Sequence, residues 1–264
     1  MVILVKKILI TGARSGIAKG VIDSLINDDF YIYATTRTEK QAISLKRNYC
    51  SYNNIECFKL DITKDEDRNK IDNLDFDILF CNAAISNGGS LVEININRLI
   101  ENYDINVFSN VLLIQKFIRK NLLKDQDSRI IIMSSLAGIV PIEFIGSYSS
   151  TKASLIKIAE TMKKELKLLN KKIRVCLIEP GFYKTGFNEF MFLNKYGNGN
   201  SYFDNEIEYI KKKESIMLSL LSKKRLNSIV KKIRLAITEE NPRFIYRAPF
   251  FQVVGAKLYN LLFE

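Results

Sequence analysis

Thr11-Gly12-Ala13-Arg14-Ser15-Gly16-Ile17-Ala18 follows an apolar run from Val2 to Ile10. A run without clear alternation reads as a strand buried on both faces, and a helical period then covers 16–27. Gly12, Gly16 and Ala18 thus stand where a strand hands over to a helix. Small residues there let the backbone approach a pyrophosphate, whose charge the helix N-terminus favours. Such a turn is weak evidence alone, because any tight strand–helix turn asks for the same residues.

The alternation continues along the chain. Strand-like runs lie at 30–35, 54–60, 76–81, 129–134 and 173–178, with a short one at 243–247. Helical periods fill 39–49, 64–72, 96–123, 148–170 and 222–238. Thr38 with Gln41, and Thr63 with Glu66, have the spacing of capping boxes. The pattern predicts an α/β fold: a Rossmann-type doubly wound parallel sheet of about seven strands, helices on both faces, ligands beyond the C-terminal strand ends. Residues 1–264 read as one domain. Within it, 182–221 break the rhythm. Phe182, Tyr183, Phe187, Phe190, Met191 and Phe192 crowd together, and the polar stretch from Asn194 to Ser201 reads as a mobile loop. This variable region is either a lid over the substrate or a surface excursion covering the core.

Composition narrows the chemistry. With 264 residues and 47% apolar content, the chain can bury one large core. Lys6 and Lys7 interrupt the first apolar run and no small-residue cleavage site follows, so no secretory signal is expected. Four Cys without a pairing pattern suit a reducing cytosol, and the expected location is cytoplasmic. No His and no Cys-x-x-Cys are present, so no metal site is expected. The usual imidazole base is missing too, which leaves Lys, Tyr, Cys and carboxylates for proton transfer. Residues 1–114 hold 13 basic and 15 acidic side chains, a net −2; residues 115–264 hold 27 and 14, a net +13. The lysines of 162–169 read as the solvated face of an amphipathic helix, and no nucleic-acid motif accompanies the charge. Nucleic acid is not an expected partner, whereas an anionic cofactor would gain from the field.

A second constellation lies mid-chain. The run from Ile130 to Met133 delivers Ser134 and Ser135 to the sheet's C-terminal edge. Tyr148 and Lys152 follow at a spacing that shares one helix face. With 12 Tyr and 28 Lys in the chain, chance alone supplies about one Tyr-x-x-x-Lys, and Tyr209–Lys213 is such a decoy on a charged segment. The leading strand sets Tyr148 apart. A free phenol has a pKa of about 10, and bringing it to roughly 7 takes about 4 kcal/mol, the order supplied by a cation about 4 Å away at an effective dielectric near 20. Lys152 is expected to supply that cation. Ser135 would hold the substrate oxygen, and Tyr148 would give its proton to a developing alkoxide.

The second strand ends in Tyr33-Ala34-Thr35-Thr36-Arg37, where such folds meet the adenosine ribose. No carboxylate waits there for a 2′-hydroxyl. Arg37, with Arg14 assisting, suits a 2′-phosphate, so NADP(H) is favoured over NAD(H).

The Gly-x-x-x-Gly-x-Ala loop together with Ser135, Tyr148 and Lys152 resembles the short-chain dehydrogenase/reductase family, and the likeness covers most of residues 3–186. The resemblance implies a nicotinamide cofactor held by Gly12, Arg14, Ser15, Gly16, Ile17, Arg37, Tyr148 and Lys152. It makes Asp61-Ile62 the adenine contact and Cys81-Asn82-Ala83-Ala84 the family's Asn-Asn-Ala-Gly segment, with departures at Cys81 and Ala84. Pro180, Gly181 and Thr185 would meet the nicotinamide carboxamide. Asn106 would complete an Asn-Ser-Tyr-Lys tetrad and help hold a water for proton relay. A small carbonyl or alcohol substrate is implied, as is a homodimer or homotetramer, and the aromatic cluster at 182–192 suggests that the substrate is fairly apolar. Reduction of a 3-oxoacyl thioester, and a non-catalytic NADP(H) sensor, are the alternatives. Beyond residue 186 the likeness fades, although Asn241-Pro242-Arg243-Phe244-Ile245-Tyr246 loosely resembles members acting on steroid-like or lipid-like ketones. The amphipathic stretch from Ala248 to Glu264 can meet a neighbouring subunit, the site or a membrane, and membrane contact is not the expectation.

Overall fold

Ile8, Leu9 and Ile10 are all fully buried, so strand β1 (Lys6–Ile10) has no solvent face over its last three residues. That is the signature of a central parallel strand. The computed structural model describes residues 5–124, 127–193, 195 and 201–263. The start of the first apolar run, 2–4, and most of the polar stretch 194–201 lie outside them.

The chain then alternates as its periods predict. Helix α1 (Gly16–Leu25) leads to β2 (Phe30–Thr36), α2 (Glu39–Asn48), β3 (Ile55–Lys59), α3 (Asp65–Asn69) and β4 (Ile78–Cys81). Helix α4 (Ile96–Tyr103) runs through a π-helical turn (Asp104–Phe108) into α5 (Ser109–Leu122), then β5 (Ser128–Met133), α6 (Gly146–Leu168) and β6 (Ile173–Pro180). Helices α7 (Phe187–Leu193), α8 (Ile207–Leu221) and α9 (Asn227–Thr238), strand β7 (Ile245–Ala248) and α10 (Phe250–Phe263) complete it. The seven strands run β3-β2-β1-β4-β5-β6-β7, and every neighbouring pair is parallel. Alternate strand residues feed two cores. Ile8, Ile10, Ile78 and Phe80 face α1 and α9 through Val21, Ile22, Ile229 and Ile233. Leu9, Leu79, Ile130 and Ile132 face α5 and α6 through Leu113, Phe117, Leu155 and Ala159. The strand order reverses between β1 and β4, and a ligand crevice opens where two crossovers diverge.

Two readings need correction. Thr63 caps nothing: its hydroxyl donates to Asp61 Oδ1 at 2.8 Å, and α3 starts after Lys64, which offers no side-chain cap. The carboxylate two residues back outcompetes the helix end for the hydroxyl. The Thr38–Gln41 cap does form, Gln41 N–H donating to Thr38 Oγ1 at 3.3 Å. The helix expected over 222–238, α9, starts at Asn227, because Lys223 is drawn into an isolated bridge with Tyr183. Among the described residues, 182–221 hold two helices, α7 and α8.

Candidate active site

Gly12 and Gly16 have φ of +66° and +65°, the left-handed region that glycine enters at no steric cost. A Cβ on Gly12 would sit 2.9 Å from Ala83 Cα, so the turn after β1 lies directly on the segment after β4. Thr11 fastens them: its Oγ1 accepts from Asn82 N–H and Ala83 N–H at 3.0 Å each and donates to the Phe80 carbonyl. Asn82 Nδ2 returns bonds to the Thr11 and Gly12 carbonyls. Helix α1 then begins at an uncommitted end. Its capping residue Ser15 makes no side-chain cap bond, and no acidic residue stands in the first turn. Backbone N–H groups thus remain for an anion.

A cleft of about 380 Å³ extends from this turn. Gly12, Arg14, Ser15, Gly16, Ile17, Arg37, Asp61, Ile62, Asn82, Ala83, Tyr148, Lys152, Pro180, Gly181 and Thr185 all line it. At one end Arg37 lies 3.7 Å from the Asp61 carboxylate, with its side chain mostly exposed. Asp61 is itself held by Asp67, whose carboxylate accepts the Asp61 N–H at 2.8 Å. Burial alone would raise the Asp67 pKa. Bonds from Lys70, from the Asp61 backbone and from Lys59 overcome that and hold it at about 2. The open helix end and the glycine turn without room for a Cβ together fit the pyrophosphate of a dinucleotide, and the guanidinium stands at the far end of the same cleft.

Residues 83–87 form the floor between β4 and α4, outside any strand. Three buried asparagines secure them. Asn102 accepts from Asn87 N–H at 3.0 Å and donates to the Asn87 carbonyl at 2.8 Å. Asn106 does the same to Ile85, at 2.8 and 2.9 Å. Asn110 Nδ2 donates to the Ala83 carbonyl at 3.2 Å. Four helical residues rise about 6 Å and two extended residues about 6.6 Å, so side chains four apart match backbone groups two apart. Asn106 also donates to Thr151 Oγ1, whose hydroxyl bonds the Tyr148 carbonyl. Asn106 does not line the cleft, and both its amide protons are engaged. Asn102 and Asn110 were missed by sequence reasoning, although the repeat Asn102-x-x-x-Asn106-x-x-x-Asn110 on one helical stretch was available to find them.

Ser135, Tyr148 and Lys152 face the same cleft. Ser135 leaves β5 in extended conformation, accepts from Ala137 N–H at 3.1 Å and donates to the Pro180 carbonyl at 3.4 Å. Gly138 makes the next turn possible, since a Cβ there would fall 2.8 Å from the Lys152 carbonyl carbon. Tyr148 is 6% exposed and Lys152 2%. Lys152 Nζ donates to the Met133 carbonyl at 2.9 Å, and Ser134 Oγ donates to the Lys152 carbonyl at 2.9 Å. Burial acts against the acidification expected of Tyr148. Burial raises the phenol above its ordinary pKa, the Ser135 hydroxyl opposing only in part, and burial pushes Lys152 down to about 7. Desolvation disfavours the charged form of each group. The decoy pair lies on α8 with Tyr209 well exposed, as a solvated face should.

An aromatic cover lies over Tyr148. The Phe187 ring sits 5.7 Å from that of Tyr148, and Met191 and Phe192 pack with Ile145 against it. Only a hollow of about 20 Å³ remains beside Tyr148, lined by residues such as Ser135, Leu136, Ile145, Phe182 and Met191. Both ends of the cover are tied by one side chain. Gln252 Oε1 accepts from Phe182 N–H and Gln252 Nε2 donates to the Leu221 carbonyl, each at 2.7 Å.

Residues 6–195 match the family model described as short chain dehydrogenase. A probable short-chain type dehydrogenase/reductase, VdlC, from Helicobacter pylori is 30% identical over 196 residues, 70% of this chain and 68% of that protein. A 3-ketodihydrosphingosine reductase from Bacteroides thetaiotaomicron is 26% identical over 258 residues, 95% of this chain and 90% of that protein. The fold matches the crystal structure of a short chain dehydrogenase/reductase from Burkholderia phymatum in complex with NAD. The TM-score is 0.82 and the identity 16%, over 97% of this chain and 93% of that one.

Proposed function

The chain belongs to the short chain dehydrogenase family, oxidoreductases that act on alcohol and carbonyl groups, and from that premise we propose an NADP(H)-dependent reductase of an apolar ketone with Tyr148 as the proton donor. One observation carries the reading: Ser135, Tyr148 and Lys152 share a cleft with a glycine turn and an uncapped helix end. A bound nicotinamide dinucleotide supplies the hydride.

The chain's own residues do the rest. Ser135 trades its bond to the Pro180 carbonyl, 3.4 Å and weak, for one to the substrate oxygen. That places the carbonyl oxygen beside the phenol. A raised phenol pKa suits reduction, because Tyr148 enters the reaction protonated and gives its proton as the alkoxide forms. Lys152, held near neutrality, can carry a proton in or release one, and so restore the phenol between turnovers. The cover of Phe187, Met191 and Phe192 excludes water, which strengthens each of these bonds. In the oxidative direction the same groups run backward.

The Arg37 guanidinium at the adenosine end supports a 2′-phosphate, and hence NADP(H) over NAD(H). The lining of Leu136, Ile145, Phe182 and Met191 supports an apolar substrate, as does the near full-length likeness to a protein named for 3-ketodihydrosphingosine. The hollow is too small for such a molecule, so α7 must move outward to admit it. The test is NADPH consumption against a panel of ketones of rising chain length. Turnover that grows with apolar length supports the reading, and no turnover of any ketone by protein that binds NADPH would overturn it.

A further inference from the structure

We infer that helix α10 docks this protein on an anionic lipid surface, apolar face down, with the cover of the substrate site at the contact. Phe250, Val254, Leu258 and Leu261, with Phe251 and Leu262, are 38% to 83% exposed. At about 100° per residue these six fall within an arc of about 120°. The opposite arc holds Gln252, Val253, Ala256 and Asn260, which are at least partly buried. The helix is therefore inverted. Its polar amides Gln252 and Asn260 point to the protein, bonded to Phe182, Leu221 and Ile139, while its large apolar side chains point to solvent. A solvated helix would place them the other way round.

Charge chooses the occupant. No acidic residue lies in 250–263, and Lys257 stands on the flank of the apolar arc. Lys223 places its Nζ 4.8 Å from the Phe251 ring centre. Lys224 and Arg225 follow it, and Lys184 bonds its backbone. All five cations are exposed and none has an ion-pair partner among the described residues. Two copies joined through this face would bring their cations together. Anionic headgroups would instead pair with them while the apolar arc enters the acyl boundary. Among the described residues no helix is long and apolar enough to cross a membrane, so the contact is interfacial. Gln252 holds both ends of the cover, so a docked α10 sets the substrate entrance against the lipid.

The test is co-sedimentation of the full chain with vesicles of phosphatidylcholine, alone or mixed with phosphatidylglycerol. It involves no turnover, so it stands or falls apart from the catalytic reading. The chain should bind the mixed vesicles, bind neutral ones far less, and come off in high salt. Leu258→Glu with Leu261→Glu should weaken binding by more than about tenfold without lowering the unfolding temperature. Lys223→Glu with Lys257→Glu should do the same through charge, again by about tenfold or more. Absence of sedimentation would overturn the proposal, as would undiminished binding by the Leu258/Leu261 variant. A wild-type dimer in light scattering that the leucine substitutions split, without vesicle binding, would assign the face to a second copy instead.

Discussion

The Lys152 ammonium nitrogen lies 5.5 Å from the centre of the Tyr148 ring and spends a hydrogen bond on the Met133 carbonyl. Both groups are buried, and burial moves their proton affinities apart: the phenol binds its proton more tightly, the amine less. Burial thus favours the uncharged form of each group, and a neutral phenol is the form that lends a proton. Four expectations follow from this arrangement and from the walls around it.

Tyr148→Phe keeps the ring against Phe187 and removes the donor. Turnover should fall by roughly 10²- to 10⁴-fold, with NADPH affinity and unfolding temperature preserved. Steady-state kinetics beside a fluorescence titration of NADPH separate the two effects. Retained activity would point to another acid.

Arg37 offers a fork to a 2′-phosphate, and bonds to a charged group contribute about 1.5–3 kcal/mol. NADPH should therefore bind at least about tenfold more tightly than NADH, and Arg37→Ala should level the two. Calorimetry of both dinucleotides with both proteins reads this directly. Equal affinities in the wild type would remove the argument.

Lys152 has a folded pKa of about 7, below its ordinary 10.5. Between those values the unfolded chain binds the extra proton, so this residue makes stability rise with pH over that window. The strain is greatest below pH 7, where the buried amine must be charged. The slope cannot exceed one proton, about 1.4 kcal/mol per pH unit. Lys152→Met should flatten the rise between pH 7 and 8.5 in urea titrations, before the raised cysteine and tyrosine pKa values act. Identical slopes would show that Lys152 titrates normally.

Asn102 makes two bonds to Asn87, and truncation leaves an N–H and a carbonyl without them. Asn102→Ala should cost about 2–3 kcal/mol and also weaken dinucleotide binding, because residues 83–87 loosen. Asn102→Asp retains only the acceptor and should recover part of the loss. Unchanged cofactor affinity in a destabilised Asn102→Ala protein would confine the residue to structure.

Much of this was legible in sequence, for identifiable reasons. Continuous apolar runs such as 129–134 and 173–178 mark strands buried on both faces, and the strands observed there agree. The glycine turn is legible because φ near +66° and a missing Cβ leave few substitutes at Gly12. Tyr148 and Lys152 share a helix face by spacing alone. Their proton affinities were not legible, since desolvation depends on the Phe187 cover, which is contributed from a distant segment. Thr63 misled because a local rule, the capping box, competes with an equally local bond to Asp61. Residues 182–221 hid two helices because their apolar side chains answer to the site rather than to a regular period.

The asparagines at 102, 106 and 110 act as a vernier. In an α-helix, residues four apart overshoot one turn by about 40°, and two such steps would wander about 80° off line. The wider π-helical turn at Asp104–Phe108 takes up that excess, so all three amides stay in phase with alternate residues of the facing chain. A stretch of irregular backbone thereby acquires the stiffness of a helix. A single residue inserted between 102 and 110 would leave the helix intact and put every amide out of step, whereas point changes on the outer face would go unnoticed.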